Sequence, residues 1–226
     1  MFPGGPPDFD QRVVPIVPVA PNSSPLALLF PSPKWVIVTS DDTLPLAGQL
    51  VMLPTGVGDA RRLPARKNFV VRPKVFPDGK RILFTERTTD GKRQAYIMSL
   101  ETGEANPVLP PGVIGTAISP DGKYIAGLAI SDRTSKIYDL TDGSPHPIRG
   151  LQPDERVMAW GDPPLPLYVS LESGPSLDLF RLDPITAQRK LWRHLTPSDP
   201  AGVRMVADIY NGIAPGAQAY GYSFAV

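Results

Sequence analysis

A hydrolytic Ser–His–Asp site can be drawn around either of the two histidines of this chain, His146 and His194. His146 lies between Pro145 and Pro147, and His194 follows Trp192 and Arg193. Neither is accompanied by a G-x-S-x-G nucleophile elbow. The reading is two histidines at the surface or at a strand edge. Cysteine is absent, which removes thiol nucleophiles, disulfides and Cys-based metal sites. Zinc needs more His or carboxylate ligands at fitting spacing than the chain offers. Asp41, Asp42, Asp78, Asp90, Asp121, Asp132, Asp139, Asp142 and Asp162 suggest calcium at first sight, yet most stand beside Gly, Ser or Thr, where a carboxylate closes a turn. The EF-hand spacing is missing. The sequence therefore predicts no catalytic, cofactor-binding or metal-ligating residue, and no enzyme.

Charge is distributed more tellingly. The net charge of +1 conceals Arg61, Arg62, Arg66, Lys67, Arg72, Lys74, Lys80, Arg81, Arg87, Lys92 and Arg93 in one stretch, against Asp78, Glu86 and Asp90. A solvated edge is the plain reading. The functional one is a docking face for an acidic protein or a phosphorylated segment, with Arg61, Arg62, Arg66 and Lys67 as candidate partner-binding residues. Nucleic acid is the weaker partner, because the few aromatics fall at core-facing strand positions instead of interleaving with the cations. Trp35 and Trp160 are expected to fill space between sheets. Trp192 falls in an outer strand.

These residues need a scaffold, and a repeat supplies it. VFPDGKRILFTE at 75–86 and ISPDGKYIAGLA at 118–129 share a turn and an alternating apolar run, about 43 residues apart. A weaker copy, FPSPKWVIVTS, stands at 30–40, and degenerate ones stand at 160–171 (WGDPPLPLYVSL) and 213–224 (IAPGAQAYGYSF). Asp-Gly suits a tight turn, because glycine accepts positive φ and the carboxylate accepts backbone N–H bonds. A second landmark keeps register with the first: AYIMSLETGEANPV at 95–108, SKIYDLTDGSPHPI at 135–148 and LDLFRLDPITAQRKL at 177–191. Each unit is four short strands that cannot cover both faces alone, so neighbouring units must stack. That is an all-β propeller. Four blades are expected at about 25–65, 66–110, 111–150 and 151–200, with a partial fifth at 201–226, after a Pro-rich segment at 1–24. Residues 183–195 are the best helix candidate, but their alignment with the outer strands of other blades predicts strand. Ile82, Phe84, Ile97, Leu100, Ile118, Ile125, Ile137, Leu140, Trp160, Leu167, Val169, Leu179 and Leu182 are the expected core.

No apolar run approaches the ~20 residues that cross a bilayer. Asp8 and Asp10 precede the first basic residue, and prolines interrupt the apolar part, so the start is no signal peptide. As given, the chain is expected in the cytoplasm, and outside it if a longer parent carries a membrane segment. A fifth blade ending after its second strand is expected to leave an open edge. A strand around Val13–Val19 would cover that edge poorly, because Pro15 and Pro18 lack backbone donors.

The motifs FPDGKRILFT and SPDGKYIA resemble the TolB-like propeller repeat, a relative of the WD repeat. The series PDGKYIAG, KIYDLTDGSPHPIRGLQPDERVMAWGD, LFRLDPITAQRKLWRHLTPSDPAGV and AYGYSF resembles the C-terminal propeller of bacterial eukaryotic-like serine/threonine protein kinases, as in acidobacteria. None of that family's catalytic motifs is present, so the resemblance implies a non-catalytic sensing or docking module for a protein or peptide partner. Two rivals stand beside it: an accessory propeller of a prolyl oligopeptidase-like hydrolase, and a TolB-like periplasmic interaction protein.

Overall fold

In a computed structural model that describes residues 28–29, 35–40, 49–54, 56–161, 167–173, 176–196, 205–207, 213 and 223–225, every regular element is a strand. The first sheet holds β1 (Leu28–Leu29), β2 (Trp35–Ser40), β3 (Gln49–Pro54) and β4 (Arg61–Arg62). The second holds β5 (Phe69–Val75), β6 (Arg81–Arg87), β7 (Arg93–Ser99) and β8 (Ala105–Pro107). The third holds β9 (Val113–Ile118), β10 (Tyr124–Ala129), β11 (Ser135–Asp139) and β12 (Pro145–Pro147). The fourth holds β13 (Arg156–Trp160), β14 (Leu167–Ser173), β15 (Ser176–Leu182) and β16 (Arg189–Leu195). A pair, β17 (Met205–Ala207) and β18 (Ser223–Ala225), follows. Each sheet is an antiparallel meander in chain order, and among the described residues the sheets do not close into a ring. The Pro-rich segment 1–24, the Val13–Val19 strand and most of the copy at 213–224 lie outside the described residues. Residues 183–195 form a turn and β16, not a helix.

The repeat is reproduced atom by atom. Phe76 N–H donates to Arg81 O and Ser119 N–H to Tyr124 O, both at 2.9 Å. Inside each turn Gly79 N–H reaches Phe76 O and Gly122 N–H reaches Ser119 O, again at 2.9 Å. Gly79 and Gly122 sit at φ 65° and 69°, a conformation that penalises any Cβ. Asp78 Oδ1 accepts Lys80 N–H at 2.8 Å, and Asp121 Oδ1 accepts Lys123 N–H at 3.1 Å. Outward in each sheet the next turn is tied back, Leu100 N–H to Lys80 O and Leu140 N–H to Lys123 O, both at 2.8 Å. The innermost strands of the second, third and fourth sheets also bulge at one place each. The register of β5, β9 and β13 slips opposite its partner around Pro73, Thr116 and Met158. A bulge sharpens local twist, which suits strands that converge on an axis. Those inner strands succeed one another in contact, β1 with β5, β5 with β9 and β9 with β13.

The core lies between sheets. Ile37, Leu50, Met52 and Leu63 of the first pack with Val70, Ile82, Phe84 and Met98 of the second. Phe76, Leu83 and Ala95 meet Val113, Ile125 and Tyr138 of the third. Ala117, Ala126 and Ile137 meet Val157, Leu167, Val169 and Leu182 of the fourth. In β6, Ile82 and Phe84 thus face one neighbour while Leu83 faces the other, and all three are fully enclosed. Burial at both faces makes each worth about 1.5–3 kcal/mol. Most of the expected core is buried, but Ile97, Ile118, Leu140 and Trp160 are only half-buried. Ile97 lies on a third strand, and the other three at strand ends, where the gap between sheets opens. Trp160 compensates by stacking on Tyr124, centroids 6.3 Å apart.

Candidate functional site

The segment joining the first sheet to the second carries the candidate partner-binding cations. β4 pairs with β3 in the register Met52 to Arg61 and Val51 to Arg62, and both arginines are exposed. Leu63 N–H donates to Leu50 O at 2.9 Å, and the buried Leu63 side chain anchors the segment. Arg61 Nη2 donates to Glu101 O at 3.2 Å, in the last turn of the second sheet. Pro64 lies so close to Gly103 in that same turn that a Cβ there would stand 2.5 Å from Pro64 Cγ. Arg66 behaves differently from its neighbours. Its guanidinium pairs with Glu86, a carboxylate only 5 % exposed, while Asn68 Nδ2 donates to the other carboxylate oxygen at 2.9 Å. The guanidinium also lies 5.2 Å from the Tyr96 ring centroid and 5.8 Å from that of Phe84. Arg66 is thus an inward clamp, and Arg61, Arg62 and Lys67 stand exposed on the segment that it fixes.

The rest of the basic stretch is dispersed. Arg81 pairs with Asp78 at 2.7 Å and covers the Phe76 ring at 4.2 Å. Lys92 pairs with Asp90 at 2.9 Å. The Thr88 hydroxyl, and then Lys92, hold the Asp90 carboxyl down at about 2. Antiparallel succession puts Lys80 and Arg81 at one end of the second sheet and Lys92 at the other, so the run seen in sequence is not one patch in space.

The two histidines each hold half of a triad. On β12 the His146 imidazole Nε2 lies 3.1 Å from Ser144 Oγ, but the nearby Asp142 carboxylate accepts the Ser144 backbone N–H at 2.8 Å instead of orienting the ring. Across β15 and β16, His194 Nδ1 lies 2.6 Å from Asp178 Oδ1, with no serine in the arrangement. A working triad needs both halves on one imidazole. The aspartates considered for calcium serve turns. Asp132 accepts Thr134 N–H, Asp139 accepts Thr141 N–H and Asp142 accepts Ser144 N–H. Hydrogen bonds from Ser119, ahead of Lys123, hold Asp121 below the usual carboxylate range. Thr134 does the same for Asp132. Among the described residues no three His, Asp or Glu side chains converge as a metal requires. Asp41, Asp42 and Asp162 lie outside the described residues.

The sequence reading missed a second cationic surface. On the outer half of the fourth sheet, Arg181, Lys190 and Arg193 are exposed, and Arg181 and Lys190 are direct cross-strand partners. Arg193 lies 5.3 Å from the Trp192 ring, whose edge meets Tyr168 at 4.8 Å. Lys190 and Arg193 stand close together in sequence, with Arg181 nine residues before Lys190, and strand pairing sets Arg181 directly beside Lys190; the run is shorter than the one at 61–93, and the sequence reading passes over it.

No family model and no curated protein matches this sequence. Among solved structures, TolB from Acinetobacter baumannii is similar at a TM-score of 0.61 and 20% identity, covering 76% of this chain and 43% of that one. The putative TolB from Agrobacterium tumefaciens gives 0.56 at 14% identity over 73% and 64%. A Mycobacterium tuberculosis puromycin-hydrolyzing peptidase gives 0.52 at 12% identity over 77% and 30%. The chain thus spans less than two thirds of the length of each. Likeness at such identity is likeness of fold, and the fold of this chain is that of a TolB-like β-propeller.

Proposed function

We propose that this propeller is a non-catalytic scaffold that docks an acidic protein or peptide at the junction of its first two sheets, as the sensing or docking module of a larger signalling protein such as a serine/threonine kinase. The observation that carries the reading is the fixed basic segment. Arg61, Arg62 and Lys67 face outward on a stretch pinned by Leu63, by the Pro64–Gly103 contact and by the Arg66–Glu86–Asn68 cluster. Cations held on a rigid support lose little conformational freedom on binding, which favours affinity. The kinase context rests on the resemblance of the segments from 119 onward.

The test is titration with an acidic, phosphoserine-containing peptide across a salt series. Affinity is expected to fall steeply from low to physiological ionic strength, where screening sets in over ~8–10 Å. It is expected to fall again in the R61S/R62S/K67S variant, which leaves the Arg66 clamp intact. Binding indifferent to both salt and substitution refutes the proposal. The match to the puromycin-hydrolyzing peptidase favours a second reading, an accessory propeller of a hydrolase. A neighbouring α/β-hydrolase domain in the same open reading frame decides for that one, and an upstream kinase domain for the first.

A further inference from the structure

The outer edges of the four sheets are not alike. A strand edge exposes a row of unpaired backbone N–H and C=O groups, and folded proteins blunt such rows by brevity, by proline, by bulges or by charge. The first three sheets do so: β4 has 2 residues, while β8 and β12 have 3 residues each and end in Pro107 and Pro147, β12 also beginning with Pro145. β16 relies on other means, a bulge at Trp192 and a row of cations, which deter a like-charged strand and leave the edge open to an acidic one. It runs for 7 residues, Arg-Lys-Leu-Trp-Arg-His-Leu, without a proline. Among the described residues no strand pairs with its outer side, since it ends the strand order of its sheet, and within it the Trp192 carbonyl accepts a hydrogen bond from Arg193 Nη1 at 3.2 Å. Roughly half of its backbone groups point away from β15 in an antiparallel pairing. Leu191 stands 51 % exposed on it.

The edge also carries a charge that selects. Lys190 and Arg193 are exposed along it, and Arg181 stands beside Lys190 on β15. Arg189 and His194 lie on the same strand, paired with Glu155 and Asp178. Trp192 is held in place by its edge contact with Tyr168. Two copies of this strand set edge to edge would oppose cation to cation, which is unfavourable. An acidic strand meets the opposite situation, with main-chain bonds for affinity and Lys190, Arg193 and Arg181 for specificity.

We propose that β16 is a strand-addition site, which takes an extended acidic peptide segment as a fifth strand of the fourth sheet. This surface is separate from the Arg61–Lys67 segment and does not depend on the function assigned there.

The probe is an acetylated, amidated eight-residue peptide alternating glutamate with valine or threonine. Its companion is the same peptide N-methylated at alternate residues, which keeps every charge and removes the strand-pairing donors. Titration calorimetry, with Trp192 fluorescence as a second readout, is expected to show saturable binding of the first peptide. The N-methylated peptide and the K190E/R193E variant are each expected to weaken it at least about tenfold. The exposed positions of Lys190 and Arg193 let that variant fold, which strand-rich circular dichroism checks directly. Equal binding of both peptides shows attraction without strand pairing and overturns the proposal. So does binding that K190E/R193E leaves unchanged while R61S/R62S/K67S abolishes it, which places the peptide on the other surface. Absence of binding overturns it, as does a dimer in light scattering that K190E/R193E dissolves, since a second copy would then be the occupant.

Discussion

Replacing Gly115 by alanine tests the stacking of sheets directly. Gly115 lies on β9 of the third sheet, and a Cβ there would stand 2.5 Å from Cδ2, 3.1 Å from Cγ and 3.3 Å from Cδ1 of Leu83, on β6 of the second. Leu83 is fully enclosed, so its isopropyl end has no solvent to retreat into. Two effects oppose each other. Alanine in place of a strand glycine is worth about 0.5–1 kcal/mol of recovered backbone entropy. Overpacking a filled core costs about 1–3 kcal/mol. The second wins, and G115A is expected to lose about 1–2 kcal/mol, lowering Tm by roughly 2–8 °C in a domain of this size. The sign should reverse when the neighbour is removed. L83A alone is expected to cost about 2–5 kcal/mol. In that background the new methyl enters the vacated space, so G115A becomes neutral or stabilising. Urea denaturation of the four proteins of this double-mutant cycle reads the coupling. An equal cost of G115A in both backgrounds, or a stabilising G115A in the wild type, refutes the inter-sheet contact.

Other outcomes follow from the same packing and charge. Phe84→Ala, which empties an enclosed site and removes the Tyr96 stack at 5.7 Å, is expected to cost about 3–5 kcal/mol by urea midpoint, and a cost near zero would show the strand phase to be wrong. Because Ser119 and then Lys123 lower the Asp121 carboxyl in the folded state, its contribution is present above the unfolded value of about 3.9 and disappears as pH falls through the folded one. Wild type and Asp121→Asn should therefore differ in urea midpoint at pH 7 and converge as pH falls through the lowered folded value; a gap independent of pH contradicts this. In the Arg189–Glu155 pair the Glu155 side chain is fully buried and Arg189 is 29% exposed. Arg189→Ala, which strands a buried carboxylate, should thus destabilise more than Glu155→Ala, up to about 3–5 kcal/mol, and the reverse order in thermal melts excludes that assignment.

The turns were legible in the sequence because their chemistry is local. Pro-Asp-Gly-Lys writes its own hydrogen bonds within six residues, and the two copies agree to the atom. The face of each strand was less legible. Period 2 marks a strand with one wet side, but Leu83 is as buried as Ile82 and Phe84, so alternation carries little information in β6. The basic surface was legible only in part. Lys67 and Arg66 are neighbours in sequence, yet Arg66 turns inward to Glu86, a partner twenty residues on and in another strand. The cations of β16 stand together in the sequence, but that Arg181 of β15 joins them beside Lys190 follows only from the pairing register. The proline at the outer strands was visible all along as composition. Its protective meaning, and its absence from β16, became readable only once those segments were known to be edges.

The reach of the outer edges of the first and third sheets onto the sheet that follows sets an order of events during synthesis. Arg61 holds Glu101 O, 40 residues further on, and Pro64 rests on Gly103. Arg149 likewise donates its backbone N–H to Pro184 O at 3.2 Å, where Gly150 meets Ala187. At these two junctions the sheets overlap like shingles laid in one direction. A nascent sheet therefore has its four strands long before it has its final contacts, which wait for the next turn to leave the ribosome. At about 5–20 residues per second that wait is about 2–8 s for the first sheet and for the third. During it the exposed junction, including the cationic Arg61–Lys67 segment, is without its support and open to chaperones. The vectorial chain thus matures one unit behind the ribosome, and arrest-peptide force profiling should register the first sheet locking only when residue 103 has emerged.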